Sequence, residues 1–221
     1  MSLTVYGSPL SPFVRKVRVV LTEKGLDYKL ENVNIFPAPD WFEAISPLKR
    51  IPVLRDEEVG KDATLPDSSV ICAYLERKKP TPSLYPAETF AYGRALWFEE
   101  YADSELASNI GMGMFRPIVV NRLMGKEPDT ATAEKTFNEK LPRYFSYLDK
   151  EIGSNAFVVG DQLTVADIAI GTQFGNLAHT GYVLDAAKYP HLDHYVKSLH
   201  ARPSFAACLA EERGLLAKMG L

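Results

Sequence analysis

A chain of 221 residues, 46% hydrophobic and 24% charged, has room for one large or two small packed domains and excludes a disordered or low-complexity chain. Its net charge of −3 and pI of about 5.9 carry no basic excess, which argues against nucleic acid or an anionic membrane surface as partner. Two distant cysteines, Cys72 and Cys208, form neither a disulfide framework nor a metal cluster. No apolar run reaches the length of a membrane span and no leader-like segment opens the chain, so the expectation is a cytoplasmic protein.

The chain opens on a strand, Leu3–Tyr6, broken by Gly7. A helix follows from Pro12 to Lys24, with Phe13, Val14, Val17, Val20 and Leu21 on one apolar face and Arg15, Lys16 and Arg18 on the remainder. Proline is suited to the first turn, where N–H groups lack intrahelical partners, and Gly25 to a left-handed cap. The loop between strand and helix carries two hydroxyls, Ser8 and Ser11, beside a helix N-terminus that favours negative charge. A second strand spans Asp27–Val33, and its order after the helix predicts a parallel pair with a right-handed crossover. Phe36–Ser46 reads as a loop with a short helix over Asp40–Ile45.

A third strand covers Pro52–Arg55, and Pro52 is placed to open it through a turn. A short strand within Val59–Leu65 precedes a helix capped by Asp67 or Ser68, with Val70, Ile71, Tyr74 and Leu75 as its apolar face. Pro80, Pro82 and Pro86 then mark a linker over residues 80–87, between a first domain at 1–79 and a second at 88–221. Everything beyond reads as helix. One helix runs Thr89–Met114 and ends where Gly111, Gly113 and Pro117 cluster. Thr130–Ile152 is a second, with Pro142 marking a kink or a late start. The third is a buried helix from Val165 with a capping box built from Thr164 and Asp167, and two amphipathic helices, Tyr189–Ala201 and Pro203–Glu212, complete the chain. The order is βαβ, then ββα, then about five helices.

Five segments together resemble a serine-using, cytosolic-type glutathione S-transferase of the theta, zeta, phi or tau kind. They are SPFVRKVRVVLTEKGLDY (11–28), SPLKRIPVL (46–54), LPDSSVICAYLE (65–76), FVVGDQLTVADIAI (157–170) and YPHLDHYVKSLHARPSF (189–205). The resemblance implies an α/β thioredoxin-like N-terminal domain, an all-α helical-bundle C-terminal domain, a cis bond before Pro52 and a homodimer. It also implies glutathione as co-substrate, with no metal, and a small hydrophobic electrophile held against the second domain.

The chemistry then needed is a thiolate. A free thiol has a pKa of about 8.5 and is only a few per cent ionised at neutral pH. Lowering it by about two units takes about 2.7 kcal/mol, and one charge-assisted hydrogen bond supplies roughly 1.5–3 kcal/mol. By resemblance Ser11 is the donor, Ser8 the second choice and Tyr6 the third. Ser11 also reads as an ordinary helix cap, and the two roles are compatible. The resemblance places glutathione on Arg50, Ile51, Pro52, Asp67 and Ser68, and the electrophile near Phe13, Tyr101, Glu105, Met112 and Phe115. With serine at position 11, no mixed disulfide can form there. His191 and His194 share a helix face without further ligands, so no metal site is read. Two alternatives stand beside conjugation: a non-catalytic binding or regulatory protein of the same fold, and a zeta-like isomerase. The isomerase is the weaker, because Ser11 is followed by Pro12 and Phe13, not by serine and cysteine.

Overall fold

The computed structural model describes residues 2–35 and 37–220; Phe36, in the loop ahead of the short second helix, lies outside the described residues. The chain divides between Leu84 and Tyr85 into two compact units.

The first unit runs β1 (Leu3–Tyr6), α1 (Pro12–Glu23), β2 (Tyr28–Glu31), α2 (Asp40–Ile45), β3 (Val53–Asp56), β4 (Thr64–Pro66) and α3 (Ser68–Lys78). Its sheet has the order β2-β1-β3-β4. β1 and β2 are parallel, as the strand–helix–strand order requires, whereas β3 and β4 run antiparallel to their neighbours. Tyr6, Val33, Phe42 and Val53 form a buried cluster at one end of this sheet. The thioredoxin-like expectation is met.

Three local readings change. The last strand is Thr64–Pro66; Val59 and Gly60 lie in a turn whose N–H groups both donate to the Asp56 carbonyl. On α3 the buried side is Ser68, Ile71, Cys72 and Leu75, and Val70 is 49% exposed. On α1, Arg15, Lys16 and Arg18 are buried, not solvated. Their long stems suit an apolar setting once the charged ends are held. Lys16 Nζ donates to Ser69 Oγ at 2.9 Å, and Arg18 Nε to the Tyr28 hydroxyl at 2.9 Å. Lys24 closes the helix, pairing with Glu76 at 2.7 Å and donating to the carbonyls of Lys79 and Pro82.

Asp56 ends β3 almost fully buried, accepting from the Tyr74 hydroxyl at 2.6 Å and pairing with Lys78 at 2.7 Å. Burial pushes its carboxyl pKa up, but the hydrogen bonds from Lys78, Tyr74 and the Glu58 N–H outweigh burial and hold it below the usual value. A carboxyl depressed on folding adds stability above its unfolded pKa and loses it as pH falls through the folded one. Stability should therefore fall on acidification below about pH 4. In urea titrations Asp56→Asn should cost about 1–3 kcal/mol near neutrality and flatten that acid limb.

Among the described residues the second unit holds five helical rods. In α4, Thr89–Tyr101 is α-helical, Ala102–Val120 continues as a widened π-type helix and Asn121–Leu123 closes the rod. At the end of the widened part the Asn121 N–H bonds five residues back, to Arg116. The helix therefore does not stop at the Gly111–Pro117 cluster. A Cβ on Gly113 would lie 2.7 Å from Thr136 Cγ2, so this glycine permits close approach of α5 rather than ending α4. Pro117 lies inside the rod, and its carbonyl accepts from the Asp129 N–H at 3.1 Å. α5 is composed of Thr130–Lys135, a short widened turn over Thr136–Lys140, and Leu141–Ile152, with Pro142 in the first turn of the last piece. α6 (Val165–His179) is buried over nearly its whole length. α7 (Pro190–His200) and α8 (Pro203–Lys218) follow, the latter longer than its sequence pattern indicated. The Thr164–Asp167 capping box is formed. No helix among the described residues is long and apolar enough to cross a membrane.

Candidate active site

The sheet register gathers the site in the first unit. Tyr6 at the end of β1 pairs with Val53 at the start of β3, and Val53 pairs with Pro66 at the end of β4. Three segments therefore leave the sheet at the same end: Gly7–Ser11, Ile51–Pro52 and Asp67–Ser68. Gly7 is required there, because a Cβ would lie 2.5 Å from Val14 Cγ2 and 3.2 Å from Ile51 Cβ. The Ile51–Pro52 bond is cis.

Ser11 is the N-cap of α1, and its Oγ accepts from the Val14 N–H at a long 3.4 Å. Its own O–H has no acceptor among the described residues, so capping and donation do not compete. The Ser11 N–H donates to the Ser8 carbonyl at 3.1 Å, closing a turn with Pro9 in its second position. That turn places both hydroxyls on one short loop. Phe13 is half-buried in the first helical turn. Tyr6, the third choice, is buried in the apolar cluster, edge-on to Trp41 and with the Arg55 guanidinium 5.1 Å from its ring centre. Burial raises the pKa of its hydroxyl.

Ile51 packs against the Tyr6 cluster, and neither its N–H nor its C=O has a hydrogen-bond partner among the described residues. It is a one-residue stretch of open backbone edge. The preceding loop is braced by the Ser46 hydroxyl, which donates to the Arg50 carbonyl at 2.7 Å and accepts from the Arg50 N–H at 3.0 Å. The Arg50 side chain is left exposed, while Lys49 pairs with Glu43 at 2.5 Å.

Asp67 takes φ +79° and ψ +131°, a conformation rare for a residue with a Cβ. Such backbone costs on the order of 1–3 kcal/mol and concentrates at functional sites. Its Oδ1 caps α3 by accepting from the N–H groups of Ser69 (2.9 Å) and Val70 (3.2 Å). The Ser68 N–H and hydroxyl, at the same helix N-terminus, have no partner among the described residues, and the residue is buried. The Lys16–Ser69 bond ties α1 to α3 one residue further on. Its reach across the fold leaves no local signature in the sequence.

The electrophile candidates on the second unit do not form one group. Tyr101 sits in an aromatic cluster, its ring centre 5.2 Å from Tyr147, 6.0 Å from Tyr144 and 6.1 Å from Trp97. Burial pushes its hydroxyl pKa well up. Glu105, one turn along α4, accepts from the Tyr144 hydroxyl, which in turn accepts from Arg143. Met112 is 57% exposed, and Phe115 is buried beside His179 of α6. Tyr101 and Glu105 both meet Tyr144, whereas Phe115 meets His179 and Met112 is exposed. No group of three or more potential metal ligands occurs among the described residues.

Comparison with known proteins places both units of the chain in one family. Residues 5–83 match the glutathione S-transferase N-terminal domain family, and residues 114–212 match the corresponding C-terminal domain family. The chain is 30% identical to glutathione S-transferase 3 of Zea mays, over 94% of this chain and 93% of that one. It is 27% identical to a stringent starvation protein A homolog of Coxiella burnetii, over 97% and 94%. A solved glutathione S-transferase of Methylobacterium radiotolerans, in complex with glutathione sulfonate, superposes with a TM-score of 0.74 at 27% identity, covering 94% of each chain.

Proposed function

Because the chain belongs to the glutathione S-transferase family, we propose that it binds glutathione at the sheet end and presents the thiolate to a small apolar electrophile. One observation carries this reading. Three segments with unused polar groups meet at one end of one sheet, and a helix cap alone would need only one of them. In this assignment the open N–H and C=O of Ile51 pair with the cysteinyl backbone of the tripeptide, as an added strand would. Arg50 attracts the glycyl carboxylate. The Ser68 hydroxyl and the N-terminus of α3 take the γ-glutamyl carboxylate, and the free oxygen of Asp67 faces its ammonium. The sulfur then lies over the loop, where the Ser11 O–H and the open N–H groups of α1 favour its anion. The thiolate attacks the electrophilic carbon, its electron pair forms the C–S bond and the leaving group departs with its own pair.

The glutathione domain is assigned to residues 1–79, the linker to 80–87 and the electrophile-binding helices to 88–221, in a cytoplasmic homodimer. A binding protein without catalysis is the second reading, since similarity of this degree extends to a relative that is not named as a transferase, the stringent starvation protein A homolog. Retention on immobilised glutathione, with elution by free glutathione, is the expected result. A chlorinated nitroaromatic should then be conjugated at a measurable rate. Retention without conjugation would select the binding protein, and absence of retention would remove glutathione from both readings.

A further inference from the structure

The loop between α2 and β3 is held by one hydroxyl. Ser46 closes α2, with its N–H donating to the Phe42 carbonyl at 2.9 Å, and it is buried. Ending the helix uses only that N–H; the side chain is spent on a residue four positions further on. Its Oγ accepts from the Arg50 N–H at 3.0 Å and donates to the Arg50 carbonyl at 2.7 Å. One oxygen therefore fixes both backbone groups of Arg50. The Lys49 N–H closes the turn onto the Ser46 carbonyl at 2.8 Å, with Lys49 at φ +53°. Left-handed backbone is unfavourable at a residue with a Cβ. Pro47, Leu48, Lys49 and Arg50 are all exposed, so burial of their side chains does not account for it. The Ser46 hydroxyl does, because the turn brings the Arg50 backbone back onto it.

A peptide unit is planar, and in the trans form its C=O and N–H point in opposite directions. The Arg50–Ile51 peptide is trans. The bond from Ser46 to the Arg50 carbonyl therefore aims the Ile51 N–H away from Ser46, on the open backbone edge. On its side-chain side Ile51 is seated against Gly7, where a Cβ would lie 3.2 Å from Ile51 Cβ. We propose that Ser46 is a positioning residue of the glutathione site. It sets the Arg50–Ile51 peptide so that the Ile51 N–H meets the cysteinyl carbonyl and the Arg50 side chain stands at the glycyl carboxylate. This inference rests on the reading of the sheet end as the glutathione site.

The probes are glutathione and γ-glutamylcysteine, which lacks the glycyl residue, titrated into the full chain by calorimetry. The wild type should prefer glutathione by about tenfold, as expected for one charge-assisted contact. In Ser46→Ala, glutathione binding should weaken about tenfold and the preference should fall to within about threefold. The Ile51 amide proton should lose its downfield shift on glutathione binding. In turnover the loss should appear in KM for glutathione, with the pKa of the bound thiol still lowered by Ser11. A merely structural role would weaken both ligands alike and leave the preference intact. Ser46→Cys keeps the size with a weaker donor and acceptor, so it should lie between and serves where the alanine variant does not fold. Added to Arg50→Ala, Ser46→Ala should lower the preference no further. A preference retained in the Ser46 variants, or full additivity with Arg50→Ala, would overturn the role of Ser46 and leave the glutathione site standing. Equal binding of both probes by the wild type would overturn the Arg50 contact and this inference with it. Binding of neither probe would overturn the glutathione site itself.

Discussion

Ser11→Ala should lower kcat/KM for conjugation of a chlorinated nitroaromatic by about 30- to 100-fold while leaving glutathione affinity within about threefold. The magnitude follows from one hydrogen bond to a charged acceptor, about 2–2.7 kcal/mol, lost only where the sulfur is anionic. Affinity is spared because Ile51, Ser68 and the two helix N-termini remain. The pKa of the bound thiol, read from thiolate absorbance, should climb toward the free value of about 8.5. A purely structural role predicts something else. Removing an N-cap costs about 0.5–2 kcal/mol of stability, and the 3.4 Å bond from the Val14 N–H places Ser11 at the low end of that range. Ser11→Thr retains both the cap and the donor, so it should recover most activity. Full activity in Ser11→Ala, with loss in Ser8→Ala, would move the donor three residues back along the same loop.

Much of the first unit was legible in sequence because its signals are local. Pro12 in a first turn and Gly25 after a last one bound α1, and Gly25 indeed takes φ +58°. The same local logic misread α4. Gly111, Gly113 and Pro117 are stop signals by propensity, yet Gly113 is there because Thr136, 23 positions away, needs its space. A window a few residues wide cannot separate a glycine that ends a helix from one that lets a second helix approach. The charges of α1 present the same difficulty. Periodicity assigns Arg15 and Lys16 to the polar side, and only the tertiary fold encloses their stems.

The candidate site divides along similar lines. Ser11, Asp67 and Ser68 were legible as helix starts, which carry signatures in side-chain type, and the family resemblance gave them their roles toward glutathione. That they face the same end of the sheet follows from the register of Tyr6, Val53 and Pro66, which no single segment encodes. The positive φ of Asp67 was also hidden, since aspartate is not the residue that announces such backbone. On the helical unit, Met112 and Phe115 were grouped with Tyr101 through the family resemblance, which places the electrophile along this helix. The widened geometry after Tyr101 changes the angle per residue, so faces extrapolated at 3.6 residues per turn diverge along α4.

Asp167 should be the most sensitive position of the helical unit, with Asp167→Ala and Asp167→Asn both costing about 3–4 kcal/mol, or roughly 10 °C in Tm. Its fully buried carboxylate takes four donors. Oδ1 accepts from the Val158 N–H at 2.8 Å and the Tyr195 hydroxyl at 2.7 Å. Oδ2 accepts from the Thr164 N–H at 2.8 Å and the Thr164 hydroxyl at 2.9 Å. Asparagine has nearly the same shape but one amino end, and either orientation of its amide sets that end against a backbone N–H that cannot rotate away. The near-isostere should therefore rescue little, which a simple cavity argument does not predict. Burial raises the carboxyl pKa of Asp167 despite these four bonds. A carboxyl raised on folding contributes fully below its unfolded pKa and loses that contribution as pH rises through the folded one. The stability difference between wild type and Asp167→Asn should accordingly narrow from about pH 4 upward, levelling off above the raised value. A difference that is flat with pH would show that Asp167 has the same proton affinity folded and unfolded. A well-folded Asp167→Asn variant would show that the four donors do not require a carboxylate.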